Sequence, residues 1–320
     1  MSSKSHSTSN NMISTKGMDY GMISYFIYDR DIHPVEQSIV NAIRKISLYK
    51  NHLQSTTKLY GSEYSQQLDQ LVITEKIQIT EANERITQIL AGAEQTEENR
   101  LYAEHMSGYD TIIFGYVDAK EELYNNFNEM VGYFNKSALV SSYSLLESEL
   151  RRLCIILQET TNEKLSLKDI SGSDYFGSMI KYLSLVIDID TNKLEHYISK
   201  IRDLQKLRNK IVHSNGELIS NTEDKESRVN LLRIINQNKG TLSLKIDSET
   251  QIETIQIDNS NYIAKYYSIF NAFFSRTLWC IDKRLDHSFL ISRFTYLLNS
   301  IILQYYFFYH VTISFLHLRY

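Results

Sequence analysis

A single proline and eleven glycines leave this chain few places where a helix has to stop. Proline removes a helical donor, and glycine in a helix interior costs about 1 kcal/mol. That scarcity argues against a turn-rich sandwich or barrel and for long helices. Cysteine is scarcer still. Cys154 and Cys280 can build neither a disulfide framework nor a four-thiolate metal site, and each lies in an apolar run; both are expected to be buried free thiols of a cytoplasmic protein. Charge of one sign is also missing: 34 Lys and Arg stand against 38 Asp and Glu, a net charge of −4, which excludes a histone-like polycation and leaves room only for a local basic patch. There is no Walker loop, no dinucleotide-type glycine fingerprint, no HExxH and no cysteine pair at metal spacing, so most enzyme classes have no foothold.

What is present is helical periodicity in a chain of 320 residues that is 42% apolar, enough for a packed core. Residues 1–33, Ser-rich at the start, read as a loose amino-terminal tail, with GMISYFIYDRDIHP holding a short strand or a partner-binding segment ahead of Pro34. Over 34–130, Val35, Ile39, Ala42, Ile46, Tyr49 and Leu53 advance by steps of four and three, and Leu68, Val72, Ile79, Ala82 and Ile86 keep the rhythm. This predicts a solvated helical hairpin or coiled coil, broken at Gly61 and again near Gly108 and Gly115. Residues 131–285 read as a separate bundle. Leu139, Tyr143, Leu146, Leu150, Leu153 and Leu157 stripe one helix, DYFGSMIKYLSLVI gives a second, and Leu194, Tyr197, Ile201, Leu204, Leu207 and Ile211 stripe a third that stops at Asn215-Gly216. The period then changes to two in TLSLKID and QIETIQID, a β-hairpin, and NYIAKYYSIFNAFFSRTLWCIDKRL closes the block as an aromatic helix in which Tyr262, Tyr266 and Tyr267 suit a core better than a base-stacking platform. His196 reads as a surface residue of the third helix.

The last segment, 286–320, includes 25 residues, 294–318, without Asp, Glu, Lys or Arg. That is long enough to span a bilayer, in which case Lys283, Arg284 and Arg293 would hold the preceding domain on the cytoplasmic side. Its polar Asn299, Gln304, His310 and His317, with many Tyr and β-branched residues, equally suit packing against the bundle or a partner subunit, or a disordered extension.

One short segment carries chemistry. In DLQKLRNKIVHSNGEL, Arg208, Asn209 and His213 gather on the last turns of a helix. At about 100° per residue Asn209 and His213 share a face, with Arg208 on the adjoining stripe. An imidazole titrates close to neutrality and moves protons, while a guanidinium holds the charge that builds on a pentacoordinate phosphate. RNA brings its own nucleophile, the 2′-hydroxyl, so such a trio suits phosphodiester cleavage without a metal. One histidine does not readily serve as both base and acid, and a symmetric homodimer would supply two copies of His213. Lys200, Arg202, Lys206 and Lys210 form a basic strip beside the trio that could track a phosphate backbone. The bare spacing is weak evidence, because Arg100 and His105 repeat it in a Glu-rich stretch without an adjacent Asn; that copy is expected to be a decoy.

RNKIVH, followed by SNG and preceded by the striped SSYSLLESELRRL, resembles the HEPN domains, whose signature is Arg, four to six variable residues, then His. The resemblance covers roughly 131–285. It implies a mainly α fold, a HEPN-like bundle with a small β-hairpin, preceded here by the helical hairpin. It also implies a metal-independent endoribonuclease acting on tRNA or mRNA, of the kind found in toxins and antiphage (abortive infection) systems, working as a dimer without a cofactor and answering to an antitoxin or a phage-derived trigger. Arg208 and His213 fall on the family's catalytic pair and Asn209 on the polar residue after the arginine. Either Glu147 or Glu149 could fill the place of a supporting acid; both could equally be solvated or paired with Arg151 and Arg152. The rival expectation is a non-catalytic helical binding or scaffold module, membrane-associated through 294–318.

Overall fold

The computed structural model describes residues 33–172, 174–218 and 225–285. Seven α-helices and a three-stranded sheet make up these residues: α1 (Pro34–Leu90), α2 (Glu97–Ser107), α3 (Tyr109–Thr161), α4 (Tyr175–Leu185), α5 (Glu195–Ser214), β1 (Glu217–Leu218), α6 (Lys225–Gln237), β2 (Leu242–Ile246), β3 (Glu253–Ile257) and α7 (Asn261–Leu285). The protein is mainly α.

Pro34 occupies the first turn of α1, where its missing N–H is no loss. The helix then runs 57 residues without a break. Gly61 does not interrupt it, contrary to expectation: no atom lies within 4 Å of the Cβ it lacks, and the chain passes through as ordinary helix. The turn comes instead at Ala91–Thr96, where Gly92 adopts φ 84° and Thr96 caps α2. Gly108, at φ 78°, separates α2 from α3, whereas Gly115 lies inside α3.

α1 and α3 run antiparallel along their length, and this pairing joins the two regions read separately in the sequence. The boundary at 130/131 falls inside the continuous α3, and the first turns of α1 belong to the bundle: Val35, Ile39, Ala42, Ile46 and Leu53 are all buried. Beyond Leu53 the residues of α1 are mostly exposed, Ala82 excepted, and the hairpin projects as an arm whose seam is made by Tyr60 against Phe134 and Tyr64 stacked on Phe127. At 1.5 Å per residue the part of α1 past Leu53 extends roughly 55 Å.

The bundle core is the meeting of three stripes. Leu139, Tyr143, Leu146, Leu150, Leu153 and Leu157 of α3 face Ile198, Ile201, Leu204, Leu207 and Ile211 of α5 and the aromatic face of α7, where Tyr262, Tyr266, Tyr267, Phe270, Phe273 and Phe274 are buried. The three tyrosines are core, as expected, and both cysteines are buried. The hairpin of β2 and β3 forms in antiparallel register with Leu242 opposite Ile257. Two elements were not foreseen: α6, and the two-residue β1 that pairs with β3 immediately after α5.

Among the described residues no helix is long and apolar enough to cross a membrane. The expectations for the amino-terminal segment before His33, for the side chains of Lys283 and Arg284, and for 286–320 lie outside the described residues.

Candidate functional site

The end of α5 is held from several directions. Asn215 takes the left-handed conformation (φ 51°) and Gly216 follows at φ 87°, so that the Gly216 N–H closes back on the Lys210 carbonyl at 3.2 Å. A side chain at Gly216 would come within 3.3 Å of the Ile255 carbonyl oxygen, and the Ile255 N–H donates to the Gly216 carbonyl at 2.9 Å, which ties the helix end to β3. From α3, the buried Lys136 donates from Nζ to the Asn215 carbonyl at 2.9 Å and to its Oδ1 at 3.4 Å. Burial pushes the Lys136 ammonium below its usual range, with the nearby Glu217 carboxylate pulling it partly back. The last turn of α5 is therefore a fixed platform.

On this platform the residues divide between two stripes. Arg202, Lys206, Asn209 and His213, spaced four, three and four, lie on one line and are all exposed. His213 makes no hydrogen bond or ion pair among the described residues, so its imidazole is open to solvent. Gln205, Arg208 and Val212 lie on the adjoining stripe, which turns toward α3 and α4. There Arg208 is half-buried, with its guanidinium carbon 5.8 Å from the centre of the Tyr143 ring. Its Nη1 donates to Asn209 Oδ1 at 2.9 Å, so Asn209 links the two stripes. Nε is buried with no hydrogen-bond partner. Of the five donors of a guanidinium, one is used among the described residues.

Glu147 and Glu149 separate cleanly. Two residues apart on α3, they differ by about 200° around the helix and cannot face the same way. Glu147 faces the site: burial pushes its carboxyl above the usual range, while the Arg208 guanidinium pulls it back and the Asp174 carboxylate adds to the rise. Glu149 is directed to α1 instead, where it pairs with Lys45 at 2.5 Å, and so is not a member of the site. The Tyr143 hydroxyl between Glu147 and Arg208 is buried without a hydrogen bond of normal geometry, and burial together with the Glu147 charge pushes it up. Asp174 caps α4 through the Gly177 N–H at 2.6 Å and accepts from Gln205 Nε2 at 3.2 Å, fastening α4 beside the Arg208 stripe.

The basic strip is shorter than expected. Arg202 and Lys206 share the stripe of His213 and Lys210 lies on its flank, but Lys200 is roughly 140° around the helix from His213 and so lies off that stripe. The copy at Arg100 and His105 is built differently: Arg100 pairs with Glu97 at 2.9 Å and Glu104 at 3.8 Å, so its charge is spent locally on α2. His196 is exposed, its ring edge-on to Tyr197.

Sequence reasoning missed Tyr143, Asp174, Gln205 and Lys136 as parts of this site. Tyr143 did leave a signal, since a hydroxyl-bearing ring inside a leucine stripe asks for a polar neighbour. The arrangement as a whole can bind an anion at unused guanidinium donors beside a solvent-open imidazole. No family model, no curated protein and no solved structure matches this chain.

Proposed function

We propose that this protein is a HEPN-type, metal-independent endoribonuclease with Arg208, Asn209 and His213 as its reacting groups. The observation that carries the reading is the state of Arg208: its guanidinium is seated on a buried ring, aligned by Asn209 and left with free donors on the same last turns of α5 that carry an exposed His213. A structural arginine at a helix end would spend those donors on carbonyls or carboxylates.

In the reaction, one His213 imidazole takes the proton of the ribose 2′-hydroxyl as its oxygen attacks phosphorus. Arg208 holds the equatorial oxygens of the phosphorane. The bond from phosphorus to the 5′-oxygen breaks, and a second, protonated His213 from the other protomer of a homodimer delivers a proton to that leaving oxygen. The products are a 2′,3′-cyclic phosphate and a 5′-hydroxyl. Glu147 is placed to tune Arg208 rather than to react. Arg202 and Lys206, in line with His213, would receive the flanking phosphates. Such an activity suits a toxin or antiphage effector, with the long α1/α3 arm as the part that meets a trigger or an antitoxin.

The test is cleavage of mixed tRNA and mRNA by purified wild type and His213→Ala in the presence of a chelator, with the ends of the fragments identified. Loss of a proton-transfer group is expected to lower the rate about 100- to 10,000-fold. Equal cleavage by both proteins, or fragments ending in 5′-phosphate, would refute the assignment and favour a helical module that binds without reacting.

A further inference from the structure

Beside Glu147 the surface opens into a groove of about 740 Å³ between α3 and the start of α4, lined by Glu147, Arg151, Arg152, Ile155 and Tyr175 among others. This is within the size range of ligand sites, which run about 300–1,000 Å³. Its chemistry is uneven. Arg151 and Arg152 are exposed and have no ion pair among the described residues, although Glu147 stands one helical turn before Arg151. Asp174, the other carboxylate nearby, is occupied in capping α4 and in holding Gln205. The groove thus carries two guanidiniums with no ion pair among the described residues, and Glu147, which feels the Arg208 charge, lines it as well; the Tyr175 ring is 47% exposed and Ile155, 40% exposed, forms an apolar wall.

We propose that this groove is a nucleotide subsite for single-stranded RNA, with Arg151 and Arg152 on the phosphates flanking the scissile link and a base stacked on Tyr175. It rests on reading the Arg208–His213 centre as one that receives RNA. Charge complementarity selects the occupant: two adjacent guanidiniums against the one carboxylate of Glu147 in the lining match the regular phosphates of a strand, and an exposed ring beside them matches a base whatever its identity. A duplex would keep its bases stacked and leave Tyr175 unused. The groove accordingly confers a preference for unpaired RNA, and Glu147, which lines it and feels the Arg208 charge, sets the nucleotide on the Arg208 side of the site.

The experiment measures binding apart from chemistry, using the full chain and a fluorescein-labelled ten-nucleotide RNA whose 2′-positions are methylated, so that no attacking hydroxyl is present. Fluorescence anisotropy is recorded across a salt series for wild type, R151Q/R152Q, R151K/R152K and Y175A, with circular dichroism and sedimentation to follow folding and assembly. Two lost phosphate contacts should flatten the slope of log affinity against log salt by about 1.4 in R151Q/R152Q, given roughly 0.7 per single-strand phosphate. R151K/R152K should recover the slope, and should any R-to-Q change prevent folding, the lysine pair compared with wild type still reports the guanidinium contribution. Y175A should weaken binding roughly 10-fold with the slope unchanged. A wild-type slope in R151Q/R152Q, unchanged affinity in Y175A, or a change that follows dissociation of a dimer rather than RNA would overturn the subsite. Cleavage by wild type with normal binding by all groove variants sinks the subsite alone. Groove-dependent binding without cleavage of unmodified RNA sinks the catalytic reading alone and leaves the subsite standing, and a wild type that neither binds nor cleaves removes both.

Discussion

The division of labour between Glu149 and Glu147 has a consequence for stability that can be measured without any knowledge of substrate. Glu149 is buried, with its side chain only 4% exposed, and one oxygen takes Lys45 Nζ at 2.5 Å while the other has no hydrogen-bond partner. Lys45 is its one charge partner among the described residues, and it reaches across from α1. In Lys45→Met a carboxylate stays buried without its cation. Breaking a fully buried pair costs 3–5 kcal/mol, but Lys45 is itself 39% exposed and water screens part of the interaction, so the expected loss is about 2 kcal/mol. For a protein of 320 residues that corresponds to a fall of roughly 3 °C in Tm. Glu149→Leu alone should cost about 1 kcal/mol or less, because Lys45 can carry its ammonium out to solvent. The double variant K45M/E149L replaces the pair by apolar packing and should return to within about 1 kcal/mol of wild type, leaving a coupling of about 2 kcal/mol. The assay is urea unfolding of the four proteins, followed both by far-ultraviolet circular dichroism and by intrinsic fluorescence. A loss below about 0.5 kcal/mol in K45M, or additive effects in the double variant, would refute the claim that this pair fastens the arm helix to the bundle.

Glu147→Gln should behave in the opposite manner. A carboxyl whose folded value lies above its unfolded one binds more protons folded than unfolded in the window between them, so stability is lost as pH rises through that window. The variant escapes this loss, and its advantage over wild type in thermal unfolding should be absent at acid pH, where the carboxyl is protonated folded and unfolded, and should grow as pH rises above the ordinary carboxylate range; a constant difference across pH would contradict the placement of Glu147. Lys136→Met should loosen the end of α5 specifically, raising amide hydrogen exchange around Ser214–Gly216 about 10-fold by removing a charged hydrogen bond to the helix cap, and unchanged exchange there would show that β1 and Gly216 suffice to hold it.

Much of the bundle was legible because burial imposes periodicity. The stripes of α3 and α5 and the aromatic face of α7 were readable from spacing alone, and so was the stop at Asn215-Gly216, since few residues tolerate the left-handed turn that ends a helix. The errors have physical causes too. Gly61 was read as a break, yet the propensity cost of one glycine is about 1 kcal/mol and a 57-residue helix packed along α3 absorbs it. The turn after α1 is set instead by the positive φ at Gly92, which spacing does not encode, whereas the expected break near Gly108 is present. α6 escaped because its buried Leu231, Ile234 and Ile235 span barely more than one turn after a charged start. The division at 130/131 falls within a continuous helix because a change from Gln- and Glu-rich to Leu-rich faces marks where α3 gains neighbours, not where a helix ends. At the candidate site the residues on α5 could be found from one helix, whereas Tyr143, Asp174 and Lys136 belong to it only through contacts between α3, α4 and α5.

Helix geometry also explains why a second protomer enters the proposed reaction. Arg208 and His213 are five residues apart, so their Cα atoms are separated by about 7.5 Å along α5 and by roughly 140° around it. Within one protomer they would border the phosphate of the proposed reaction from two sides, with Asn209, hydrogen-bonded to Arg208 and in line with His213, between them. In-line displacement at phosphorus needs a base and an acid on opposite sides of the scissile bond, and one imidazole on one side supplies half of that requirement. The exposed stripe of Arg202, Lys206, Asn209 and His213 is the face on which a twofold axis would place the missing half, because only a surface open to solvent in the single chain can meet its own copy across a strand of RNA. On this view the half-burial of Arg208 and the exposure of His213 are two requirements of one reaction. The guanidinium needs a fixed, partly dehydrated seat to gain strength on the phosphorane, and the imidazole needs access to protons and to its counterpart.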